Sequence, residues 1–344
     1  RLATLLASHV TFQNTSRKDN KTTVTKVPVP MNVLEAIIAS GGEGLAPLTK
    51  VLKAPTLRPD GSVLEKVGYD KETGLYLDIP KNLASVPLAP TLADAQAALA
   101  ILQRPIRGFP FCSELDRAVA ISAILTGLIA PTLTAKPAVA LNANAAATGK
   151  TLLVKVITTI INGQPASSGT DARQSDETEK RLDAALLKGD PIVSLDNLTG
   201  VVEGAKLCMV VTDSFVEVRP LGKSLSMTVA TPLVFLNGNN LVFSGDISRR
   251  VLVGNLDAAC PEPELRQFDF DAIVEAQNLR PSLIIAALTI MRAYAVAGSP
   301  DVGLPPLGSF EDWSRRVRNA LIWLGQPDVS STIMDTKSRD RSRE

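Results

Sequence analysis

Apolar and polar positions divide the chain into segments of different character, and the first covers residues 1–82. Short apolar runs alternate there with turn signals. The turns "PDGS" (59–62) and "KETG" (71–74) each separate strand-like pieces and predict two hairpins. The apolar spacing of "NVLEAIIAS" (32–40) predicts a helix that ends at two glycines. Together these patterns predict a small α+β domain that serves as an assembly collar, a loading domain or a linker.

Residues 83–136 have the pattern of a helical connector. After a proline-rich stretch, Thr91 is placed to cap the alanine-rich helix "LADAQAALAILQ". The segment "SELDRAVAISAILTGLIA" (113–130) predicts a second helix. Its apolar run at 118–131 is shorter than the ~18 residues of a membrane span, so we interpret it as a buried helix and expect no membrane association.

Strands and helices alternate between residues 137 and 258, which predicts a layered α/β core. The segment "ATGKTLLVKVITTIING" has the pattern of a loop followed by a helix, with Gly163 just past its end. The other predicted elements of this core are a strand at "PAVALNA", a helix at 177–190, a hairpin at 215–231, and strands at 191–197, 232–240 and 250–257.

The last part of the chain is predicted to be helical from 259 to 330, with a charged tail at 331–344. A helix at 281–298 is expected to start at Pro281, and a second one covers 309–325. The tail "KSRDRSRE" lacks apolar positions and is expected to be disordered.

Composition and charge narrow the possible functions. The chain has 344 residues with 36 basic and 35 acidic side chains, so it is no polycation and any nucleic-acid surface must be local. The one histidine, His9, excludes histidine-based triads and zinc sites in the core. The three cysteines have no zinc or disulfide spacing, so we expect buried, reduced thiols and a cytoplasmic location.

The stretch "NANAAATGKTLL" (142–153) ends in the Gly-Lys-Thr of a phosphate-binding loop, Gly149 to Thr151, and follows a predicted strand. In such a loop Lys150 reaches the phosphates of ATP and Thr151 places its hydroxyl on Mg²⁺. Asn144 and Ala147 stand where glycines are usual. We expect Asn144 to substitute by accepting a positive φ. Taken alone, the motif is equally compatible with a helix start that contains Gly-Lys-Thr by chance.

Polar residues at the ends of two later strands favour the nucleotide interpretation. Asp196 ends the strand "PIVSLD" and could hold Mg²⁺ through water, while Asn197 could orient a water but is a poor base. Asn239 and Asn240 end the strand "PLVFLNGNN", where an amide could contact the γ-phosphate or the attacking water. Ordinary turns at both strand ends are the alternative.

A pair of arginines precedes the last strand of the core. Arg249 and Arg250, in "SGDISRRV", could reach a phosphate bound by a neighbouring subunit. Taken alone, a surface salt bridge to Asp246 is the simpler interpretation.

In this order, "ATGKT", "VSLDN", "LNGNN" and "SGDISRRV" resemble the AAA+ helicase domain of phage, plasmid and mobile-element primase-helicases. That family is close to the superfamily-three and MCM-like replicative helicases, and the resemblance covers roughly residues 90–330. It implies an AAA+ P-loop three-layer core with a helical C-terminal lid. It also implies a ring, usually a hexamer, with ATP and Mg²⁺ between subunits, DNA through the centre, and possibly a primase.

The resemblance also assigns roles to individual positions. The loop residues Asn144, Ala147, Thr148 and Gly149, with Lys150 and Thr151, correspond to Walker A, and Asp196 corresponds to Walker B. Asn239 corresponds to sensor 1, with Asn240 as the near alternative, and Arg249 and Arg250 correspond to the arginine finger. Arg280, at the expected helix start, is a weaker candidate for sensor 2, and Lys223 and Arg219 in the 215–231 hairpin are candidate DNA contacts.

The sequence leaves two main functions open. The first is an ATP-driven DNA helicase or translocase that replicates a mobile element or phage. The second is a nucleotide-binding ring scaffold or DNA-binding module with weak or no hydrolysis, which the departures at Asn144, Ala147 and Asn197 suggest. A third, weaker interpretation is a remodelling ATPase that does not act on DNA.

Overall fold

The computed structural model describes residues 6–7, 10–18, 21–40, 46–80, 83–145, 147–166, 175–219, 226–260 and 269–338. The chain forms two compact units, one of residues 1–49 and one of residues 50–344. Residues 50–80 therefore belong to the larger unit, whereas the sequence predicts a separate domain that ends at residue 82.

The smaller unit contains a hairpin and a helix. Strands β1 (Gln13–Lys18) and β2 (Lys21–Lys26) pair antiparallel, and all of their residues are exposed. Helix α1 (Met31–Ala39) confirms the helix predicted at 32–40. The hairpin is not evident in the sequence, because neither strand has the apolar alternation of a half-buried strand.

The larger unit begins with five short strands, and these contain the two predicted hairpins. Their bounds are β3 Lys50–Leu52, β4 Thr56–Leu57, β5 Val63–Leu64, β6 Gly68–Asp70 and β7 Leu75–Leu77. The pairs β4–β5 and β6–β7 are antiparallel, as predicted, and β3 pairs parallel with β7. The Thr56 hydroxyl donates to the Leu128 carbonyl at 2.8 Å, which joins this region to the core.

The rest of the larger unit is a mixed α/β structure. The first half of its elements are α2 (Leu92–Gln103), α3 (Glu114–Ile129), β8 (Ala138–Ala143), α4 (Lys150–Asn162), α5 (Ser175–Lys188), β9 (Ile192–Val202) and α6 (Ala205–Thr212). The second half are β10 (Phe215–Val218), β11 (Met227–Ala230), β12 (Leu233–Phe243), β13 (Val251–Leu256), α7 (Ala272–Val296), α8 (Glu311–Trp313), α9 (Asn319–Trp323) and α10 (Ser331–Ser338). A π-helical turn, Ser314–Arg318, joins α8 to α9.

A four-stranded parallel sheet forms the centre of this unit, in the order β13-β8-β12-β9. Its strands contain near-continuous apolar runs, as expected of a parallel sheet that is covered by helices. Because all four strands run the same way, the loop after β8 and the ends of β9 and β12 meet at one edge. The predicted α/β core is therefore present, and this edge is where the sequence motifs converge.

Two predicted strand ends are wrong, because β9 and β12 continue past them. The sequence ends these strands at 197 and 240, but they run to Val202 and Phe243. Asn197 and Asn240 have positive φ values of 57° and 51°, and the β9–β12 register shifts near both residues. The asparagines thus sit in irregularities within the strands rather than in terminating turns.

The helix ends are set by side-chain and glycine caps. Thr91 forms the predicted capping box with Asp94, and Gly163 ends α4 with a φ of 80°. The predicted start of the helix at Pro281 is wrong, because α7 begins at Ala272 and contains Pro281. The Asp271 carboxylate accepts hydrogen bonds from two backbone amides of the first turn, which fixes the earlier start.

Two helical segments, Glu114–Thr132 and Ala272–Val296, are long and apolar enough to cross a membrane by length and composition alone. In their most apolar windows, 67 % and 56 % of the residues are buried inside the protein. Packing in the core therefore accounts for their hydropathy.

The three cysteines are free thiols in different surroundings. Cys208 is buried and Cys260 is half-buried, while Cys112 is exposed. The expectation that all three are buried is therefore wrong for Cys112, which precedes α3 and whose backbone amide donates to the Asn255 carbonyl of β13.

Candidate functional site

The loop between β8 and α4 carries the Gly-Lys-Thr motif at the edge where the parallel strands end. Among the described residues of this loop, Ala147 and Gly149 have positive φ, at 58° and 96°. The expectation that Asn144 takes the positive φ is wrong. Its amide instead donates to the Asp257 carboxylate at 3.2 Å, which ties the start of the loop to the end of β13.

Glycine is favoured at position 149 by its backbone conformation. Its φ of 96° is strained for any residue with a side chain, whereas a Cβ there would be in ordinary contact with the Phe109 ring, at 3.4 Å. The loop therefore approaches α4 with its backbone exposed at the start of the helix, as a phosphate-binding loop requires.

Lys150 is the first residue of α4 and is largely buried. Its ammonium donates to the Ala145 carbonyl at 3.2 Å, the Thr148 hydroxyl at 3.1 Å and the Asn239 amide oxygen at 2.7 Å. Burial lowers the pKa of Lys150, and the nearby Asp196 carboxylate opposes this effect. A cation held by neutral oxygens at a helix start is well placed to attract a phosphate.

Thr151 and Asp196 form the second contact of the site. The Thr151 hydroxyl donates to Asp196 Oδ2 at 2.9 Å, and the backbone amide of Asn197 donates to Asp196 Oδ1 at 2.9 Å. The carboxylate is buried, with 6 % of the residue exposed. A hydroxyl and a carboxylate at this distance are oxygen donors of the kind that Mg²⁺ prefers, so the two residues fit that ion.

The described protein groups around Thr151 and Asp196 do not form a complete metal site by themselves. Within the part of the chain that the structure describes, no group of three or more His, Cys, Asp or Glu side chains could hold a metal. One carboxylate and one hydroxyl are sufficient for Mg²⁺ only when substrate phosphates and water complete its coordination. The donor set therefore suits a metal that arrives with a nucleotide.

The structure distinguishes between the two asparagine candidates on β12. Asn239 contacts Lys150, while Asn240 is exposed and has the positive φ of the irregular strand segment. The side chain of Asn197 on β9 is also exposed. Asn239 is thus the amide that the fold brings to the loop.

A partly buried polar network near the loop is not evident in the sequence. The Asn142 amide donates to Asn255 Oδ1 at 3.1 Å and accepts from the Leu241 backbone amide at 2.9 Å. The Asp116 carboxylate accepts from the backbone amide of Asn255 at 2.7 Å. The network joins β8, β12, β13 and α3 near the site. The signal in the sequence is an asparagine one residue before the end of each of β8 and β13.

Arg249 and Arg250 lie at the opposite edge of the sheet from the loop. Residue 251 pairs with Ala138, the first residue of β8, whereas the loop follows Ala143. The length of β8 therefore separates them, about 17 Å at the usual rise per residue. Both arginines pair with Asp246, at 2.6 and 2.7 Å. They do not complete the site of their own chain.

The structure does not bring Arg280 to the loop. Its guanidinium donates to the carbonyls of Thr159, Ile160 and Ile161 at 3.2, 3.0 and 3.1 Å. These carbonyls lie at the C-terminal end of α4, and the loop lies at the other end, about 15 Å away at the helical rise. Because α7 starts earlier than predicted, Arg280 acts as a cap for α4 and not as a residue at a helix start.

The predicted hairpin at 215–231 is present as the antiparallel pair β10–β11. Arg219 follows β10 and is exposed. Lys223, predicted at the tip of this hairpin, lies outside the described residues.

Fold and site together define a mixed α/β protein with a parallel sheet and a strand–loop–helix of the phosphate-binding type. The sequence matches no protein-family model, and no curated protein matches it. Solved structures that resemble the chain include the following three. The apo C-terminal region of NrS-1 shares 12 % identity with a TM-score of 0.44, over 97 % of this chain and 74 % of that chain.

The other two are the JCV helicase and the Cch protein of SCCmec type IV, which is described as an active helicase. JCV helicase shares 14 % identity with a TM-score of 0.31, over 73 % of this chain and 66 % of that chain. Cch shares 12 % identity with a TM-score of 0.37, over 94 % of this chain and 69 % of that chain. At these identities and TM-scores the likeness carries no argument about function.

Proposed function

We propose that this protein is an ATP-dependent, ring-forming DNA helicase or translocase that acts in the replication of a phage or mobile element. The observation that carries the proposal is the convergence of three strands on one phosphate-type loop. Lys150 contacts Asn239 from β12, and Thr151 contacts Asp196 from β9. These residue types are those needed to bind a nucleoside triphosphate and position water.

Each residue has a role in this proposal. Lys150 exchanges its neutral oxygen partners for the β- and γ-phosphates, while backbone amides at the start of α4 bind the same anion. Thr151 and Asp196 hold Mg²⁺, which supplies positive charge that offsets the charge on the phosphates. Asn239 is released from Lys150 on binding and orients the attacking water. Hydrolysis breaks the bond between the γ-phosphorus and the bridging oxygen, and water supplies the new oxygen.

The arginines belong to the site of a neighbouring subunit in this proposal. Arg249 and Arg250 lie at the sheet edge opposite their own loop, so they can reach a γ-phosphate only across an interface. A closed ring, a hexamer in the resembling family, presents each pair to the next site.

DNA is the proposed partner, and the β10–β11 hairpin is its proposed contact. Lys223 and Arg219 would bind backbone phosphates with little sequence preference. A primase is a further proposed partner, and the proposed location is the cytoplasm. The near-neutral net charge of +1 requires basic side chains to cluster locally for this purpose.

A second candidate function is a ring scaffold that binds nucleotide and hydrolyses it slowly or not at all. Two observations favour it. Ala147 holds a positive φ that strains the loop, and the exposed Asn197 is a poor general base. This candidate predicts assembly that depends on nucleotide, without phosphate release that depends on DNA.

Phosphate release and fork unwinding by Lys150→Ala test the proposal. We expect wild-type phosphate release to rise when single-stranded or forked DNA is added, and the variant to lose about 100-fold or more of this activity. Lys155→Ala is the matched control, since Lys155 lies on the same helix more than one turn after Lys150.

The outcomes separate the candidates. Loss of phosphate release and unwinding in Lys150→Ala, with both retained in Lys155→Ala, supports the helicase. Wild-type protein that binds nucleotide and assembles, but releases no phosphate with or without DNA, supports the scaffold. Unchanged release in Lys150→Ala contradicts the site itself.

A further inference from the structure

Asn237, in the middle of β12, is fully buried, with 0 % of the residue exposed. Both polar atoms of its amide, Oδ1 and Nδ2, lack a hydrogen-bond partner among the residues that the structure describes. Burying an unpaired amide destabilises a fold, so an asparagine in an apolar strand needs a reason to be there.

The strand register places Asn237 in the candidate site. Residues 235–239 of β12 pair with β8 without interruption, so Asn237 and Asn239 point to the same face of the sheet. Asn239 contacts Lys150, which identifies this face as the one covered by the start of α4. Asn237 therefore lies on the same face of β12 as Asn239, two residues before it.

The neighbour of Asn237 on the adjacent strand is Asp196. Leu195 pairs with Leu236, Leu198 pairs with Gly238, and the register shift between these pairs places Asp196 and Asn197 opposite Asn237. Asp196 faces the same side, since it accepts the Thr151 hydroxyl. The amide thus lies beside the carboxylate that fits Mg²⁺.

Lys150 and Asp196, the neighbouring polar side chains of the site, already form hydrogen bonds. Lys150 makes three hydrogen bonds, and each carboxylate oxygen of Asp196 accepts one. Among these described side chains, only Asn237 has both an unpaired hydrogen-bond donor and an unpaired acceptor. Mg²⁺ usually keeps several of its waters when a carboxylate binds it, and those waters need such partners.

We propose that Asn237 is a positioning residue for the magnesium-bound nucleotide, which binds a water of the metal hydration shell beside Asp196. This inference rests on the proposed nucleotide site. The inference adds Asn237 to that site as a residue that contacts the metal only through a bound water. Nothing in the phosphate-loop motif identifies it, because its position depends on the β9–β12 register.

The substitution Asn237→Leu tests the role, since leucine has nearly the same size and lacks the amide. In nucleotide-free protein we expect the melting temperature to rise by about 2–4 °C, because an unpaired buried amide is removed. The Mg²⁺ concentration for half-maximal binding of a fluorescent ADP analogue should rise about 10-fold, as for other residues that support metal ligands. Neither readout requires hydrolysis.

Two further variants separate positioning from packing. Phe235→Leu lies on the same strand face two residues earlier and should lower the melting temperature while leaving the Mg²⁺ requirement unchanged. Asn237→Thr keeps a hydroxyl and should give an intermediate Mg²⁺ requirement. If threonine at position 237 restores part of the Mg²⁺ dependence, a packing role alone does not explain the effect.

The outcomes distinguish this inference from the proposed function. Nucleotide binding by Asn237→Leu with an unchanged Mg²⁺ midpoint overturns the role of Asn237 and leaves the nucleotide site intact. If Asn237→Leu does not fold, an unchanged midpoint in Asn237→Thr overturns it equally. Wild-type protein that binds no nucleotide, with or without Mg²⁺, contradicts the proposed function and this inference with it.

Discussion

At the scale of single residues, Ala147 is the most informative departure from a phosphate-binding loop. Its φ of 58° is unfavourable for a residue with a Cβ, by roughly 1 kcal/mol or more. Glycine at this position removes that strain and opens space for phosphate. We therefore expect Ala147→Gly to tighten nucleotide binding about 5-fold, as measured by equilibrium titration.

The control for this substitution is Ala145→Gly, in the same loop but without a positive φ. It should leave affinity unchanged or weaken it slightly, because it adds only backbone freedom. Equal effects of the two substitutions would show that strain at residue 147 does not limit binding.

Lys136 gives a prediction about pH that is independent of nucleotide. Its residue is 3 % exposed, and its ammonium donates to the Thr231 hydroxyl at 3.0 Å. Burial, with a smaller effect of Lys50, lowers the pKa of Lys136 from 10.5 to about 7. Between these values the unfolded chain binds a proton that the folded chain does not, so this residue makes stability rise with pH.

The measurement is the free energy of unfolding at several pH values between 7 and 10. The contribution of Lys136 has a slope of about +1.4 kcal/mol per pH unit, and Lys136→Met should remove it. Stability of the variant should therefore exceed that of the wild type most near pH 7. Lys71→Met, at an exposed turn, is the control and should leave the slope unchanged. A difference between wild type and Lys136→Met that does not vary with pH would contradict the account.

At the scale of elements, Arg280 joins the middle of α7 to the end of α4. Three carbonyls of α4 accept from its guanidinium, and burial lowers its pKa. We expect Arg280→Met to lower the free energy of unfolding by about 1–3 kcal/mol, because buried acceptors lose a charged donor. Chemical denaturation measures this change, and Arg315→Met, at an exposed ion pair, should cost less than about 1 kcal/mol.

The same variant tests whether Arg280 has a role at the nucleotide. Because its contacts are at the far end of α4, folded Arg280→Met protein should bind nucleotide with nearly wild-type affinity. A stable variant that has lost nucleotide binding would restore Arg280 to the site.

Most elements of the core could be predicted from the sequence, because local signals agree with the fold. The apolar run of β8, the caps at Thr91 and Gly163, and the β10–β11 hairpin all depend on neighbours in the chain. Two predictions are wrong because tertiary contacts override the local signals in the sequence. The sequence predicts a strand that ends at residue 197 and a helix that starts at Pro281. Asn197 instead lies in an irregularity within β9, and Pro281 lies inside α7.

At the scale of the whole molecule, the position of the arginines makes the assembly testable. Arg249 and Arg250 are separated from their own loop by the length of the sheet. If they act across an interface, Lys150→Ala and Arg249→Ala/Arg250→Ala are each inactive alone. When the two proteins are mixed, some interfaces combine an intact lysine with intact arginines.

We therefore expect phosphate release to reappear on mixing, at a level that depends on the ratio of the two proteins. The control is each variant mixed with itself at the same total concentration. No recovery at any ratio, with mixed assemblies demonstrated by mass photometry, would contradict action across the interface.

The convergence of the motifs could be predicted from the sequence. In a parallel sheet, residues that follow the apolar run of each strand lie towards the same end of the sheet. Lys150, Asp196 and Asn239 illustrate this, as each follows or ends an apolar run. The network of Asn142 and Asn255 and the position of Asn237 could not be predicted. They depend on which strands are neighbours and in what register, and neither is encoded in local periodicity.

The central claim is that Lys150, Thr151, Asp196 and Asn239 form a site for a magnesium-bound nucleoside triphosphate. Equilibrium binding of a non-hydrolysable ATP analogue, with and without Mg²⁺, tests it most directly. We predict saturable binding that strengthens with Mg²⁺ and weakens about 10- to 100-fold in Lys150→Ala, because a charged hydrogen bond to phosphate is lost. Equal affinity of the wild type and Lys150→Ala for the analogue would contradict the account.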